Sequence, residues 1–223
     1  MSEALQAYGM VLSAMPIGEN DRRVVLLTRE LGKISCFARG ARRPGSMLMA
    51  ATGPAAFGRF SLIQGRDSYV LVRADIDHYF RELAEDPEAI YYAYYFLDFA
   101  DYYGREGIDA SETLNLLYLS VKALLHENLD NRLVRRVFEL RLMVINGEYA
   151  PQMQALSEST LYTVQYISRA PLNRLYTFTV TPEVLAELTR MLEKHMDRVM
   201  DRPLKSREIL DRMVGTGSAG GEE

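Results

Sequence analysis

Cysteine occurs once in these 223 residues, at Cys36, so no internal disulfide can form. The three histidines, His78, His126 and His195, are scattered, and no ligand-spaced zinc site can be read from them. Nowhere do about eighteen uncharged apolar residues follow one another. The opening Met-Ser-Glu-Ala-Leu-Gln has neither the basic segment nor the apolar stretch of a secretory signal. A reduced, cytoplasmic setting is expected, with neither export nor a membrane span. Catalytic signatures are missing too: there is no Gly-x-x-x-x-Gly-Lys-Ser/Thr loop, no Gly-x-Ser-x-Gly elbow and no His-Glu-x-x-His. A formal Gly-x-Gly-x-x-Gly at Gly215, Gly217 and Gly220 follows a charged helix rather than a strand, so it is no dinucleotide site. Neither an enzyme, a cofactor nor a metal is expected.

What is present is charge, unevenly placed. The net charge of −4 hides a basic front: Glu19 to Arg73 holds ten Lys/Arg against four Asp/Glu, whereas Glu82 to Asn131 holds two against eleven. A basic section inside an acidic chain is the asymmetry expected of a nucleic-acid binder. Its centre is Lys33-Ile-Ser-Cys-Phe-Ala-Arg-Gly-Ala-Arg-Arg-Pro-Gly-Ser46, where strand-like alternation runs into three arginines punctuated by Gly40, Pro44 and Gly45. A strand delivering its end into a basic, bend-prone loop can present cations to phosphates.

The apolar period divides the chain. Strands are expected near Tyr8–Met15, Arg22–Thr28, Lys33–Arg39, Phe57–Ile63 and Ser68–Ala74, with reversals at 18–21, 29–32, 40–56 and 64–67. Five short strands in under about eighty residues favour a small closed barrel, which leaves no exposed edge. The OB-fold leads, and an SH3-like barrel has much the same signature. After His78 the period becomes helical. Helices are expected near 88–103, over 111–125 capped by Ser111 or Asp109, from about Leu133 to Ile145 capped by Asp130 or Asn131 and ended by Gly147, and from Thr181-Pro182-Glu183 to about Met200. Residues 172–180 are ambiguous. The fold class is therefore a β-barrel plus an all-α part: an N-terminal five-stranded OB-fold over 1–80, a helical domain over 81–213 and a flexible tail over 214–223.

Three groups of side chains compete for function. Lys33, Arg39, Arg42 and Arg43 are read as DNA-binding, against the alternative of an ordinary solvated loop; Phe37, Phe57, Phe60 and Tyr69 could stack on bases, although at least half of such residues belong to a core. The aromatic series from Tyr91 to Tyr103 sits among carboxylates with helical spacing, at 91, 94/95, 99 and 102, and reads as core packing rather than a DNA platform. Arg132, Arg135 and Arg136 share one surface at a helix start, where cations oppose the helix dipole. They either bridge to Asp130, Glu139 or the acidic section, or capture an acidic peptide. The residues alone leave that choice open. A protein-interaction adaptor whose barrel never touches nucleic acid, and an RNA-binding OB protein, are the other functional readings.

The chain resembles the bacterial RecO recombination mediator family. The resemblance is carried by Val11-Leu-Ser, Gly18-Glu-Asn-Asp and Val25-Leu-Leu-Thr-Arg-Glu-Leu-Gly-Lys-Ile-Ser-Cys-Phe-Ala-Arg-Gly-Ala-Arg-Arg-Pro-Gly-Ser46 in front, Leu133-Val-Arg-Arg-Val-Phe-Glu-Leu-Arg-Leu142 in the middle and Arg202-Pro-Leu-Lys-Ser-Arg-Glu-Ile-Leu210 near the end. It implies an OB-fold followed by a helical domain, binding of single- and double-stranded DNA, and annealing of complementary strands without ATP. It also implies partnership with RecR in loading RecA onto strands coated by single-strand-binding protein, whose acidic C-terminal tail docks on the helical domain. By that resemblance Arg135 and Arg136, beside Arg132, become the positions for tail contact, and Lys33, Arg39, Arg42 and Arg43 those for DNA. Many members carry a four-cysteine zinc module after the Phe-Glu-Leu helix. Here Glu148-Tyr-Ala-Pro-Gln-Met-Gln-Ala-Leu156 passes through without a cysteine, and no zinc is expected.

Overall fold

A computed structural model describes residues 4–66, 68–149 and 156–217. Its contacts divide the chain into two units, the first comprising Met1–Glu82 and Leu97–Leu114, the second Leu83–Phe96 and Asn115–Glu223.

The first unit is built on strands β1 (Leu5–Ile17), β2 (Asp21–Thr28), β3 (Gly32–Ala38), β4 (Phe57–Gln64) and β5 (Tyr69–His78), closed in the order β1-β2-β3-β5-β4. The long β1 pairs antiparallel with both β2 and β4, and the parallel pairing of β3 with β5 completes the barrel. This is the OB arrangement. A bulge between Val11 and Ser13 lets β1 turn from one neighbour to the other. Alternation along β3 is regular: Ile34, Cys36 and Ala38 point into a core with Val11, Val24, Leu26, Phe60, Leu62 and Leu71, while Lys33, Ser35 and Phe37 point outward. Burial pushes the Cys36 thiol up to about 12, so the lone cysteine is an inert core residue.

Residues 97–114 join the barrel through the β2–β3 turn. Lys33 donates its backbone N–H to the Arg105 carbonyl at 3.0 Å, and Gly107 and Ala110 donate to the carbonyls of Leu31 and Arg29. Gly32 makes that approach possible. Its φ is +67°, and a Cβ there would lie 2.1 Å from the Arg105 carbonyl oxygen.

Between β3 and β4 stands the single-turn α1 (Leu48–Ala51). Then come α2 (Pro87–Tyr103), α3 (Ser111–Ala123), α4 (Asn131–Ile145), α5 (Glu158–Arg169), α6 (Pro182–Val199) and α7 (Lys205–Gly217). The caps follow the sequence: Asp130 accepts the Arg132 N–H, Thr181 accepts that of Val184, and Asp109 accepts that of Ser111. Helices α5 and α7 have no counterpart in the sequence expectations, and the ambiguous 172–180 contains only a 3₁₀ turn, Leu172–Arg174. Of the expected tail, residues up to Gly217 belong to α7; 218–223 lie outside the described residues, as do 150–155 of the cysteine-free segment.

On α2 the buried rings are Tyr92, Tyr95, Phe96 and Phe99: Tyr95 and Phe99 belong to the face expected, whereas Tyr91 and Tyr102 are only partly buried and Tyr94 is half exposed. Core packing holds for that face. Helix α4 is buried nearly all round, with Val134, Val137, Phe138 and Leu140 packed inward and Phe96 and Phe138 in ring contact at 4.4 Å. That burial matters because α4 also carries two arginines and a glutamate.

Candidate nucleic-acid interface and arginine cluster

The basic loop leaves the end of β3 through a tight turn in which Ala41 and Arg43 donate backbone N–H groups to the carbonyls of Ala38 and Gly40. Gly40, at φ +65°, supplies the left-handed residue this turn requires, and its own N–H is held by the Asp21 carboxylate at 2.7 Å. The loop is further tied to the β1–β2 turn: Arg42 donates from its backbone to Asn20 and from its guanidinium to the Gly18 carbonyl. From β2, Arg22 reaches the Met49 carbonyl and the Thr52 hydroxyl, both at 2.9 Å, and so anchors α1. A loop of this length would ordinarily be mobile. Here its backbone is fixed at several points while Arg39, Arg42 and Arg43 stay exposed.

These three arginines pair with no carboxylate among the described residues, and between Glu30 and Asp67 the sequence has no Asp or Glu at all. Lys33 stands apart. It lies at the opposite end of β3, about 20 Å away at strand rise, and its ammonium is shared between the Asp101 carbonyl at 2.6 Å and the Asp101 carboxylate at 3.4 Å. The structure thus groups three of the four expected cations and leaves the fourth already countered. Among the rings considered for stacking, Phe57, Phe60 and Tyr69 are buried and Phe37 is half-buried. The large apolar side chain that projects from the loop is Met47, 91% exposed. Sequence reasoning missed Arg22; its place in β2 beside the turn gave no sign that it would anchor α1.

The second cluster lies within the helical unit. Arg132 pairs with the capping Asp130 at 2.7 Å, which offsets a cation placed at a helix N-terminus. Arg135 and Arg136 are both only 5% exposed and converge on the fully buried Glu139, each at 2.8 Å. Arg135 also pairs with Asp211 of α7 at 2.6 Å, and Arg136 with Glu193 of α6 at 2.7 Å. The Tyr95 hydroxyl donates to Glu139 at 2.7 Å, and the Arg135 guanidinium lies 4.9 Å from the centre of the Tyr95 ring. Burial opposes ionisation of Glu139, yet Arg136 and Arg135 hold its carboxyl down at about 2. Burial likewise raises the Tyr95 hydroxyl well above its ordinary range, with Glu139 adding to the effect.

The sequence alternatives for these arginines were bridging and capture, and the bridges to Asp130 and Glu139 are present. Asp211 and Glu193, from segments far along the chain, were not foreseen. Alongside lies a cavity of about 520 Å³ whose apolar wall includes Val180, Pro182, Leu185, Ala186 and Val214. Among the described residues no group of three or more His, Cys, Asp or Glu could hold a metal ion, and no helix is long and apolar enough to cross a membrane.

Comparison with known proteins decides the family. Residues 1–80 match the family model described as Recombination protein O N terminal, and 84–155 with 148–208 match Recombination protein O C terminal. The chain belongs to the RecO family. Relatives named DNA repair protein RecO include one from Acetivibrio thermocellus, 27% identical over 89% of this chain and 92% of its own length. Another, from Exiguobacterium sibiricum, is 26% identical over 95% of this chain and 98% of its own. The relative from Alkaliphilus metalliredigens is 32% identical over 64% of this chain and 58% of its own. As a RecO-family protein it has a role in DNA repair and recombination; the loop arginines and Arg132, Arg135, Arg136, Glu139 and Glu193 fall within the matched regions, and Asp211 lies just beyond them.

Proposed function

We propose that this protein binds single- and double-stranded DNA through the barrel loop and brings complementary strands together without nucleotide hydrolysis. One observation carries the reading: Arg39, Arg42 and Arg43 stand exposed and, among the described residues, without a carboxylate partner, on a loop whose backbone is already fixed and in a stretch without carboxylates. Cations held this way neutralise phosphates and lower the repulsion between two strands, with no need for base contacts. Lys33, countered by Asp101, contributes least. The helical unit tethers the protein to coated strands: Arg132, Arg135 and Arg136 receive the acidic tail of single-strand-binding protein, beside a cavity whose apolar wall could take an apolar side chain of the bound peptide. Together with RecR the protein helps load RecA; support for that step comes from the family resemblance.

The test is charge reversal in the full chain. Arg42→Glu with Arg43→Glu should weaken binding to two unrelated oligonucleotides by the same factor and reduce the salt slope by about 2. Fluorescence anisotropy across a salt series reads both. Loss confined to one sequence, or an unchanged affinity, would refute the phosphate reading; a wild-type protein that shifts no oligonucleotide would point instead to a protein-interaction adaptor.

A further inference from the structure

The arginine cluster is not an open positive surface. Arg132, Arg135 and Arg136 face four carboxylates, Asp130, Glu139, Glu193 and Asp211, so an incoming anion meets cations that are already engaged. Two of these partners belong to the buried frame or the cap. Asp211 does not. It sits half exposed on α7, the last described helix, bonds Arg135 through Nη1 alone, and turns its other oxygen toward Arg207 of its own helix at 3.8 Å. Arg135 Nη2 is buried and has no hydrogen-bond partner. A guanidinium satisfied on one edge nitrogen and orphaned on the other is unusual at this depth, because an unmet buried donor is costly. A carboxylate approaching edge-on could bond both nitrogens, which the tethered Asp211 does not do. Helix α7 also supplies Val214 to the cavity wall and is fastened through Arg207, which pairs with Asp197 of α6 at 3.1 Å and lies 3.8 Å from the Asp211 carboxylate, so that Arg207 both seats α7 and holds Asp211 in place.

We infer that α7 is a built-in competitor: Asp211 occupies the place of a ligand carboxylate on Arg135, and docking of an acidic peptide requires Asp211 to be displaced. The inference rests on the proposed tail site and adds its regulation. Affinity for the peptide is then reduced by the fraction of molecules in which α7 is seated, and anything that loosens α7 raises it. Asp211 meets Arg135 through one contact where a free carboxylate could make two, so exchange is favoured once a peptide with an apolar end also fills the cavity.

The experiment measures binding of a fluorescent probe, a peptide of four aspartates ending in a phenylalanine with a free carboxylate, to the full chain and three variants. Asp211→Asn should tighten binding at least about fivefold, while Glu208→Gln, the same charge change on the exposed side of α7, should leave it within about twofold. Arg207→Gln discriminates further. It removes a positive charge near the cluster, so simple electrostatics predicts weaker binding, whereas release of α7 predicts tighter binding; it also serves if Asp211→Asn proves unstable. Equal effects of Asp211→Asn and Glu208→Gln, no gain in Asp211→Asn, or weaker binding in Arg207→Gln would each overturn the competitor. Failure of the wild type and all variants to bind the probe would instead remove the tail site itself, and the competitor with it.

Discussion

At the scale of single residues the decisive contrast is between arginines that are exposed and unpaired and arginines that are buried and satisfied. Both kinds look alike in the sequence: Arg42-Arg43 and Arg135-Arg136 are each a pair of adjacent cations. What separates them is the element that carries them. The first pair lies on a surface turn, whereas the second lies on a helix buried almost all round, and there only opposite charges make the cations tolerable. Glu139 is the centre of that compensation. Glu139→Gln should destabilise the protein by about 3 to 5 kcal/mol, since two buried guanidiniums lose their shared partner; chemical denaturation of the full chain measures it. The same group sets an acid limit. Its carboxyl falls from an ordinary 4.5 to about 2 in the folded state, so its contribution, about 3 kcal/mol, is complete above pH 4.5 and is lost as the pH falls toward 2. Denaturation midpoints taken through that window should drop for the wild type and stay flatter for Glu139→Gln. The sequence showed the i,i+3 and i,i+4 relation of these three residues but not Asp211 or Glu193, because pairing across distant segments leaves no local pattern.

At the scale of elements, the barrel was legible strand by strand. Each β-strand announces itself by alternation and is bounded by Gly, Asn or Asp, and the five expected strands match those observed to within a few residues. Their closure into the OB order came only from the pairing, since an SH3-like barrel shares the same strand pattern. The helices α4 and α6 were readable from their caps. Helices α5 and α7 were not: each is short and half polar, and α7 runs into a glycine-rich end that by composition reads as a tail. The β2–β3 turn is a junction sensitive to change. Gly32→Ala adds a left-handed penalty of about 1 to 2 kcal/mol to a clash with the Arg105 carbonyl, and so should cost at least about 2 kcal/mol. Thermal unfolding should show the loss, while Gly45→Ala, with open space around it, should cost only the backbone part.

At the scale of the whole molecule, net charge is a poor guide and its distribution a good one. The chain is acidic overall, yet Arg39, Arg42 and Arg43, with no carboxylate partner among the described residues, stand together on one loop of the barrel, while Arg132, Arg135 and Arg136 of the helical unit are each paired with carboxylates. On the proposed reading the two units divide the work: one would meet a polyanion directly, the other would admit an acidic partner only by exchange of carboxylates. The central claim is that DNA binding is driven by phosphate neutralisation at the loop. Its most direct test is the affinity of the wild-type protein for an unstructured single strand across a range of salt. With three arginines engaged, the logarithm of the binding constant should fall against the logarithm of salt with a slope of about −2 or steeper; a slope near zero would contradict the account.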